Sequence, residues 1–231
     1  MNRERGFTLI EIAIVLVIIG LLLGGVLKGQ ELITSARVRN IISQQDGVKA
    51  AFFGFLDRYR AYPGDYTQSV ETIPGCGTVA TPLCARGDNN GQITTTVGGV
   101  VESIAVWEHL SRAGFINGSY TYAAAPETTS SAPSNPYGRF LQMIYDNQYA
   151  NATGARHNLK TGNQIPGDIL AEVDRKVDDG LGDGGALRFS AYPGQNGGTP
   201  PAAPTAANCF TAGASWISNN PDPNCGAASL Y

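Results

Sequence analysis

The chain has 231 residues and a net charge of −3, and only 15% of its residues are charged, so it has no strong field with which to hold nucleic acid. Its 29 glycines and 13 prolines predict a latter part rich in turns and loops, and four cysteines, an even number, point to an oxidising compartment. Setting aside one apolar N-terminal run leaves roughly 200 residues, suited to one domain or one domain with insertions.

Residues 1–6 form a short charged leader containing Arg3 and Arg5. Across residues 7–27 the only charge is Glu11 and the only other polar side chain is Thr8. As a helix, about twenty such residues cross a hydrocarbon core of about 30 Å, with the arginines on the cytoplasmic side. Glu11 is the anomaly, because a carboxylate inside lipid costs about 2.5–3.5 kcal/mol on insertion scales. A cut after Gly6 would place a new amine on Phe7, about one helical turn from Glu11. In a stack of identical helices, one subunit's carboxylate would neutralise a neighbour's amine, so that docking is favoured only where the two charges meet. The residues by themselves leave a plain single-pass anchor equally open. A secretory signal fits less well: its apolar core spans about 7–15 residues and is followed by a small-residue cleavage site, which is not seen here.

The hexapeptide Gly6-Phe7-Thr8-Leu9-Ile10-Glu11 resembles the cleavage and methylation motif of type IV pilins and type II secretion pseudopilins. The resemblance implies cutting between Gly6 and Phe7 by a prepilin peptidase, N-methylation of Phe7, and an assembly role for Glu11 as the fifth residue of the mature chain. It implies as partners the peptidase, the inner membrane, an assembly platform and motor, and copies of the chain and other pilins in a helical filament. It also implies a single-pass precursor in the inner membrane with a periplasmic head, and later a surface pilus or a periplasmic pseudopilus. Beyond the N-terminal segment the chain resembles pilins in layout only.

After the apolar run polar residues enter at Lys28, Gln30 and Glu31, yet no proline appears before Pro63. Leu32, Ile41, Val48, Phe52, Phe55, Leu56 and Tyr59 keep largely to spacings of three and four. The pattern predicts one helix from Phe7 to Tyr59, about 80 Å long at 1.5 Å per residue. Residues 7–28 would lie in lipid or a filament core, and residues 29–62 would continue as an amphipathic helix against a head of residues 63–231. Gly20, Gly24, Gly25 and Gly29 weaken the helix; they serve either close helix approach or local unwinding on leaving the membrane. Tyr62-Pro63-Gly64-Asp65-Tyr66 ends it.

Residues 67–101 read as loop. Within them Cys76 and Cys84 are close enough to pair, near Pro74, Gly75, Gly77 and Pro82. Residues 102–113 predict a helix with Ile104, Trp107, Leu110 and Ala113 on one face and Gly114 as its cap. Trp107 reads as a core anchor ahead of a ligand-stacking site, and His109 as a surface or satisfied core histidine ahead of a metal ligand or base. Residues 118–161 are polar, with one strand candidate at 140–145. Asn117-Gly118-Ser119 and Asn151-Ala152-Thr153 match the glycosylation pattern, a chance match being the stronger reading. Residues 165–177 predict a second helix, with Ile169, Leu170, Val173 and Val177 in helical spacing.

That helix runs into Asp178-Asp179-Gly180-Leu181-Gly182-Asp183-Gly184-Gly185. Asp178, Asp179 and Asp183, spaced by glycines, can converge on a hard cation such as calcium, although the tract is not an EF-hand loop; the alternative is a solvated acidic turn. Asp88-Asn89-Asn90-Gly91 is a weaker tract of the same kind. Residues 186–192 alternate as a strand, and residues 193–204 are Gly-, Pro- and Ala-rich loop. Cys209 and Cys225 enclose Phe210 and Trp216 near the end of the chain. In many type IV pilins a C-terminal disulfide loop pins the head, and the resemblance implies that role for this pair. Cys76–Cys84 with Cys209–Cys225 is therefore favoured over the crossed connectivities.

No phosphate loop, Cys-x-x-Cys pair or nucleophile elbow is present, which argues for a substrate of an enzyme and against an enzyme. The expected fold is α+β and pilin-like: a long N-terminal helix packed on a small antiparallel sheet with disulfide-closed loops. Two disulfide loops and a loop-rich head favour a type IV pilus subunit. The acidic tract favours a type II secretion pseudopilin, and a membrane-anchored binding protein that never polymerises is the third reading.

Overall fold

The structure is a computed structural model describing residues 9–94, 96, 99–194, 202–211, 213 and 215–231, with the side chain of Pro82 also outside it. Helix α1 runs from Leu9 to Tyr59 without a break, as its proline-free sequence and three–four spacing dictate. The chain divides into two compact units, residues 1–37 and 38–231. In the first, the helix exposes Leu9, Ile10, Leu16, Leu21 and Leu27, and Lys28 pairs with Glu31 at 2.7 Å on the surface. In the second, it buries Val38, Ile41, Val48, Ala51, Phe52 and Phe55. Arg60 takes a left-handed backbone (φ 56°) just past the last turn, and Pro63 follows.

The head then builds α2 (Ser69–Thr72), the hairpin β1 (Gly77–Thr78) and β2 (Thr81–Pro82), and α3 (Glu102–Arg112). There follow β3 (Gln142–Asp146), β4 (Arg156–Lys160), α4 (Gly167–Val177), β5 (Leu187–Phe189), α5 (Ala206–Cys209) and β6 (Ala227–Leu230). The segment read as loop between the first and second long helices thus carries a turn of helix and a hairpin, both too short for periodicity to register.

The main sheet is antiparallel throughout, in the order β3-β4-β6-β5. Met143, Leu159, Ser229 and Leu187 lie side by side across its four strands. That face contributes Met143 and Leu159 to a core with Phe52, Phe55, Trp107 and Leu110. Leu187 and Phe189 instead join a second core with Val38, Ile41, Ile169, Leu170, Val173 and Trp216. The opposite face is partly polar: Lys160, almost wholly buried, pairs with Asp146, and buried Asn158 donates to the same carboxylate at 3.0 Å.

Two strands of this sheet were not expected from the sequence. Arg-His-Asn-Leu-Lys in β4 has one aliphatic side chain, because its second face is a buried polar cluster that no alternation of apolar residues reveals. Ala-Ala-Ser-Leu in β6 lacks the β-branched residues that mark strands. Cys76 is bonded to Cys84 beside the first core, and Cys209 to Cys225 beside the second.

Candidate functional site

The processing residues Gly6 and Phe7, with the leader before them, lie outside the described residues. Glu11 is in the first turn of α1 and exposed, flanked by the exposed apolar side chains Ile10, Ile12, Ile14 and Val15. α1 is long and apolar enough at this end to cross a membrane. The N-terminal segment therefore offers a hydrophobic rod bearing one acid.

In the head, ionisable side chains gather at two places. The first surrounds α3. Its opening residue Glu102 is completely buried and accepts the Asp88 amide (3.1 Å) and the Thr94 amide (2.9 Å). Asp65 accepts the amides of Asn90 (3.0 Å) and Gly91 (2.8 Å), and Glu108 those of Ala85 (2.9 Å) and Tyr122 (3.1 Å). Oxygens of Asp65, Asp88 and Glu102 lie within 4.8 Å of one another. Burial, opposed by the amide bonds, pushes Glu102 up to about 7 and raises Asp65 and Glu108 as well. His109, fully buried, accepts the Gly64 amide at Nδ1 (2.9 Å) and donates from Nε2 to the Ala85 carbonyl (2.9 Å). Burial pushes it down to about 4. With both ring nitrogens occupied it is a structural strut, available neither to a metal nor to a substrate. Gly64 has φ 89°, and a Cβ there would meet the Glu102 carbonyl oxygen at 2.5 Å, so only glycine lets this turn lie against α3.

Trp107 is buried in the α3 core with no partner for its indole N–H, and stacks on no open site. Asp88, the one acid in 88–91, enters the α3 group; its companions Asp65 and Glu102 are distant in sequence, and nothing local announces them.

The second gathering lies at the C-terminal end of α4. Asp178 and Asp179 come together, with Asp174 as the third member, all within 4.8 Å. Asp183 does not join them: its Oδ2 accepts the Gly213 amide at 2.7 Å. Asp178 Oδ2 accepts the amides of Ala186 and Leu187, and Asp179 Oδ1 accepts the Leu181 amide at 2.9 Å. A Cβ on Gly185, whose φ is 56°, would overlap the Asp178 carboxylate, so glycine is what allows the loop to fold back on α4. Asp174 is completely buried, and its Oδ2 accepts the Trp216 indole N–H at 2.7 Å. Burial, with help from the neighbouring Asp179 and Asp178 charges, pushes it up to about 6. Asp174 was absent from the sequence reading, although a signal existed: it precedes Asp178 by four residues, one helical turn.

Residues 1–27 match a family model described as the prokaryotic N-terminal methylation motif. The match supports the type IV pilin and pseudopilin class, whose members are structural subunits and not enzymes. No curated protein and no solved structure matches the chain significantly.

Proposed function

We propose that this chain, which carries the prokaryotic N-terminal methylation motif, is a structural subunit of a type IV pilus. Prepilin peptidase cuts between Gly6 and Phe7, and the new N-terminus is methylated. The precursor waits in the inner membrane with residues 7–28 in lipid, while residues 29–62 carry the helix into a periplasmic head of residues 63–231. Assembly platform and motor then move the subunit into a filament whose core is the bundled apolar helices. The supporting observation is the motif joined directly to a helix whose apolar stretch is entirely exposed in the isolated subunit. A surface of that kind needs either lipid or other copies of itself.

Glu11 sets the register, its carboxylate meeting the Phe7 amine of a neighbouring subunit. Glu11→Ala is expected to abolish incorporation into filaments while leaving membrane insertion intact, read by shearing filaments from cells and blotting both fractions. Normal incorporation of the variant would remove the register role. N-terminal sequencing of the mature protein tests processing independently; a mature chain starting at Met1 would sink the whole reading.

The pseudopilin reading rests on a separate observation, the acidic group at the end of α4, which suits a calcium-stabilised periplasmic head. Fibres on the cell surface containing this chain favour the pilus. Loss of protein secretion on deletion, without loss of surface fibres, favours the pseudopilin.

A further inference from the structure

We propose that Asn117 is a site of spontaneous covalent modification, cyclising onto the Gly118 nitrogen and opening to a mixture of aspartate and isoaspartate. Asparagine is among the residues that heat and time degrade. Its side chain closes on the next main-chain nitrogen most readily when that residue is glycine, which puts no Cβ in the way. Asn90-Gly91 and Asn117-Gly118 are both such pairs, and the fold treats them differently; Asn196-Gly197 lies outside the described residues. The Gly91 amide donates to Asp65 Oδ2 at 2.8 Å, and the Asn90 side-chain oxygen accepts the Gln92 amide at 2.8 Å. That pair is clamped at both reacting groups. Asn117 and Gly118 are exposed, in the loop between α3 and β3. Among the described residues, neither the Asn117 carboxamide nor the Gly118 amide makes a hydrogen bond. Gly118 has φ 104°, and a Cβ on it would meet the Tyr120 ring at 3.1 Å. The turn itself thus calls for the residue that leaves Asn117 unprotected.

Solvent base takes the Gly118 amide proton, and the nitrogen forms a bond to Asn117 Cγ. The Cγ–Nδ2 bond breaks, and Nδ2 leaves as ammonia with a proton returned from solvent. Water then adds to either carbonyl of the cyclic imide and breaks its bond to the Gly118 nitrogen. Opening at Cγ gives aspartate. Opening at the main-chain carbon gives isoaspartate, in which the main chain runs through the side chain and gains a methylene. Each conversion consumes one water and releases one ammonia, and both products carry a carboxylate where the amide stood. Asn117 lines a cleft of about 340 Å³ with Ser43, Gln44, Phe115 and Tyr120, between α1 and the loop after α3, and no charged side chain lines it. Conversion gives that cleft its first charge and makes the chain more acidic as it ages.

The full chain in detergent is held in warm, mildly alkaline buffer, digested with trypsin and followed by mass spectrometry. Cleavage after Arg112 puts Asn90 and Asn117 in different peptides. Expected at Asn117 is the mass gain of an amino group exchanged for a hydroxyl, in two products that chromatography separates. One of them should be a substrate for an isoaspartate-specific methyltransferase. An amide bonded to a charged acceptor must first come free, so Asn90 should convert at a rate lower by about tenfold or more. Urea removes that protection, and the two rates should then come within about threefold. Gly118→Ala should slow Asn117 several-fold in urea as well as in buffer, where any strain in the folded turn is no longer a factor in the first case. Equal rates at Asn90 and Asn117 in the folded chain, an Asn90 rate that urea does not raise, or conversion to aspartate with no isoaspartate would each overturn the assignment.

Discussion

The α3 and α4 lobes of the head each draw three carboxylates together, but at opposite poles of their helices. Glu102 sits at the N-terminal end of α3, where the helix pole is positive, and a folded-back loop delivers amide after amide: Asp88 and Thr94 to Glu102, Asn90 and Gly91 to Asp65. Asp174, Asp178 and Asp179 sit at the C-terminal end of α4, where the pole is negative and carbonyls rather than amides are left over. The α3 acids are thus complete as structure. The α4 acids also collect loop amides, those of Ala186 and Leu187 on Asp178, Leu181 on Asp179 and Gly180 on Asp174, but against the pole of their helix. Both groups anchor a loop, one at the favourable pole of its helix and one at the unfavourable pole.

The largest test of that contrast removes one acid from each lobe. Glu102→Ala takes the buried acceptor from the Asp88 and Thr94 amides and should lower unfolding free energy by about 2 kcal/mol or more. Asp179→Ala in chelator removes an exposed charge from a repulsive group and should change stability by no more than about 0.5 kcal/mol. Urea unfolding of both variants decides it; equal losses would mean that the exposed Asp179 bond to the Leu181 amide holds its loop as firmly as buried Glu102 holds the α3 loop.

The disulfides give a finer comparison. Cys209–Cys225 closes sixteen residues and Cys76–Cys84 eight. In the chain-entropy model, removing the first by paired Cys→Ala costs about 3 kcal/mol and the second about 2.5 kcal/mol. A loss confined to the shorter loop would show that its place in the α3 core, and not chain entropy, sets its worth.

The long elements could be read from the sequence because their signals are local. Helix α1 follows from the apolar run and its proline-free continuation, and α3 and α4 from Ile104–Trp107–Leu110 and Ile169–Leu170–Val173 at helical spacing. Asp178 and Asp179 stand out because they are adjacent. What could not be read depends on partners far away in sequence. β4 is a strand because Lys160 finds Asp146 and Asn158 finds the same carboxylate, and β6 because β4 and β5 flank it. Asp65, Asp88 and Glu102 meet only once the loop folds onto α3. Asp183 looked equivalent to its neighbours until the Gly213 amide claimed it.

The smallest effect is in pH dependence, where acids and histidines of the head shift in opposite directions. Glu102 is raised from 4.5 to about 7, so the folded state holds a proton that the unfolded state has lost. Its contribution is stabilising at pH 6.5 and vanishes as pH rises through 7, a loss of about 0.8 kcal/mol by pH 8. His109 and His157 are each lowered from 6.5 to about 4, burial being the main cause. The unfolded state binds their protons first, so stability rises with pH over the same interval, by about 0.8 kcal/mol for the pair. The two trends oppose and flatten the wild-type profile, while Asp65 and Glu108, also raised by burial, act in the same sense as Glu102. Glu102→Gln removes one side of the balance. Between pH 6.5 and 8 its urea-derived stability should climb by about 0.8 kcal/mol more than the wild type's, whatever its absolute level. Parallel profiles would mean that Glu102 enters the folded state ionised, held by its two amides strongly enough to overcome burial.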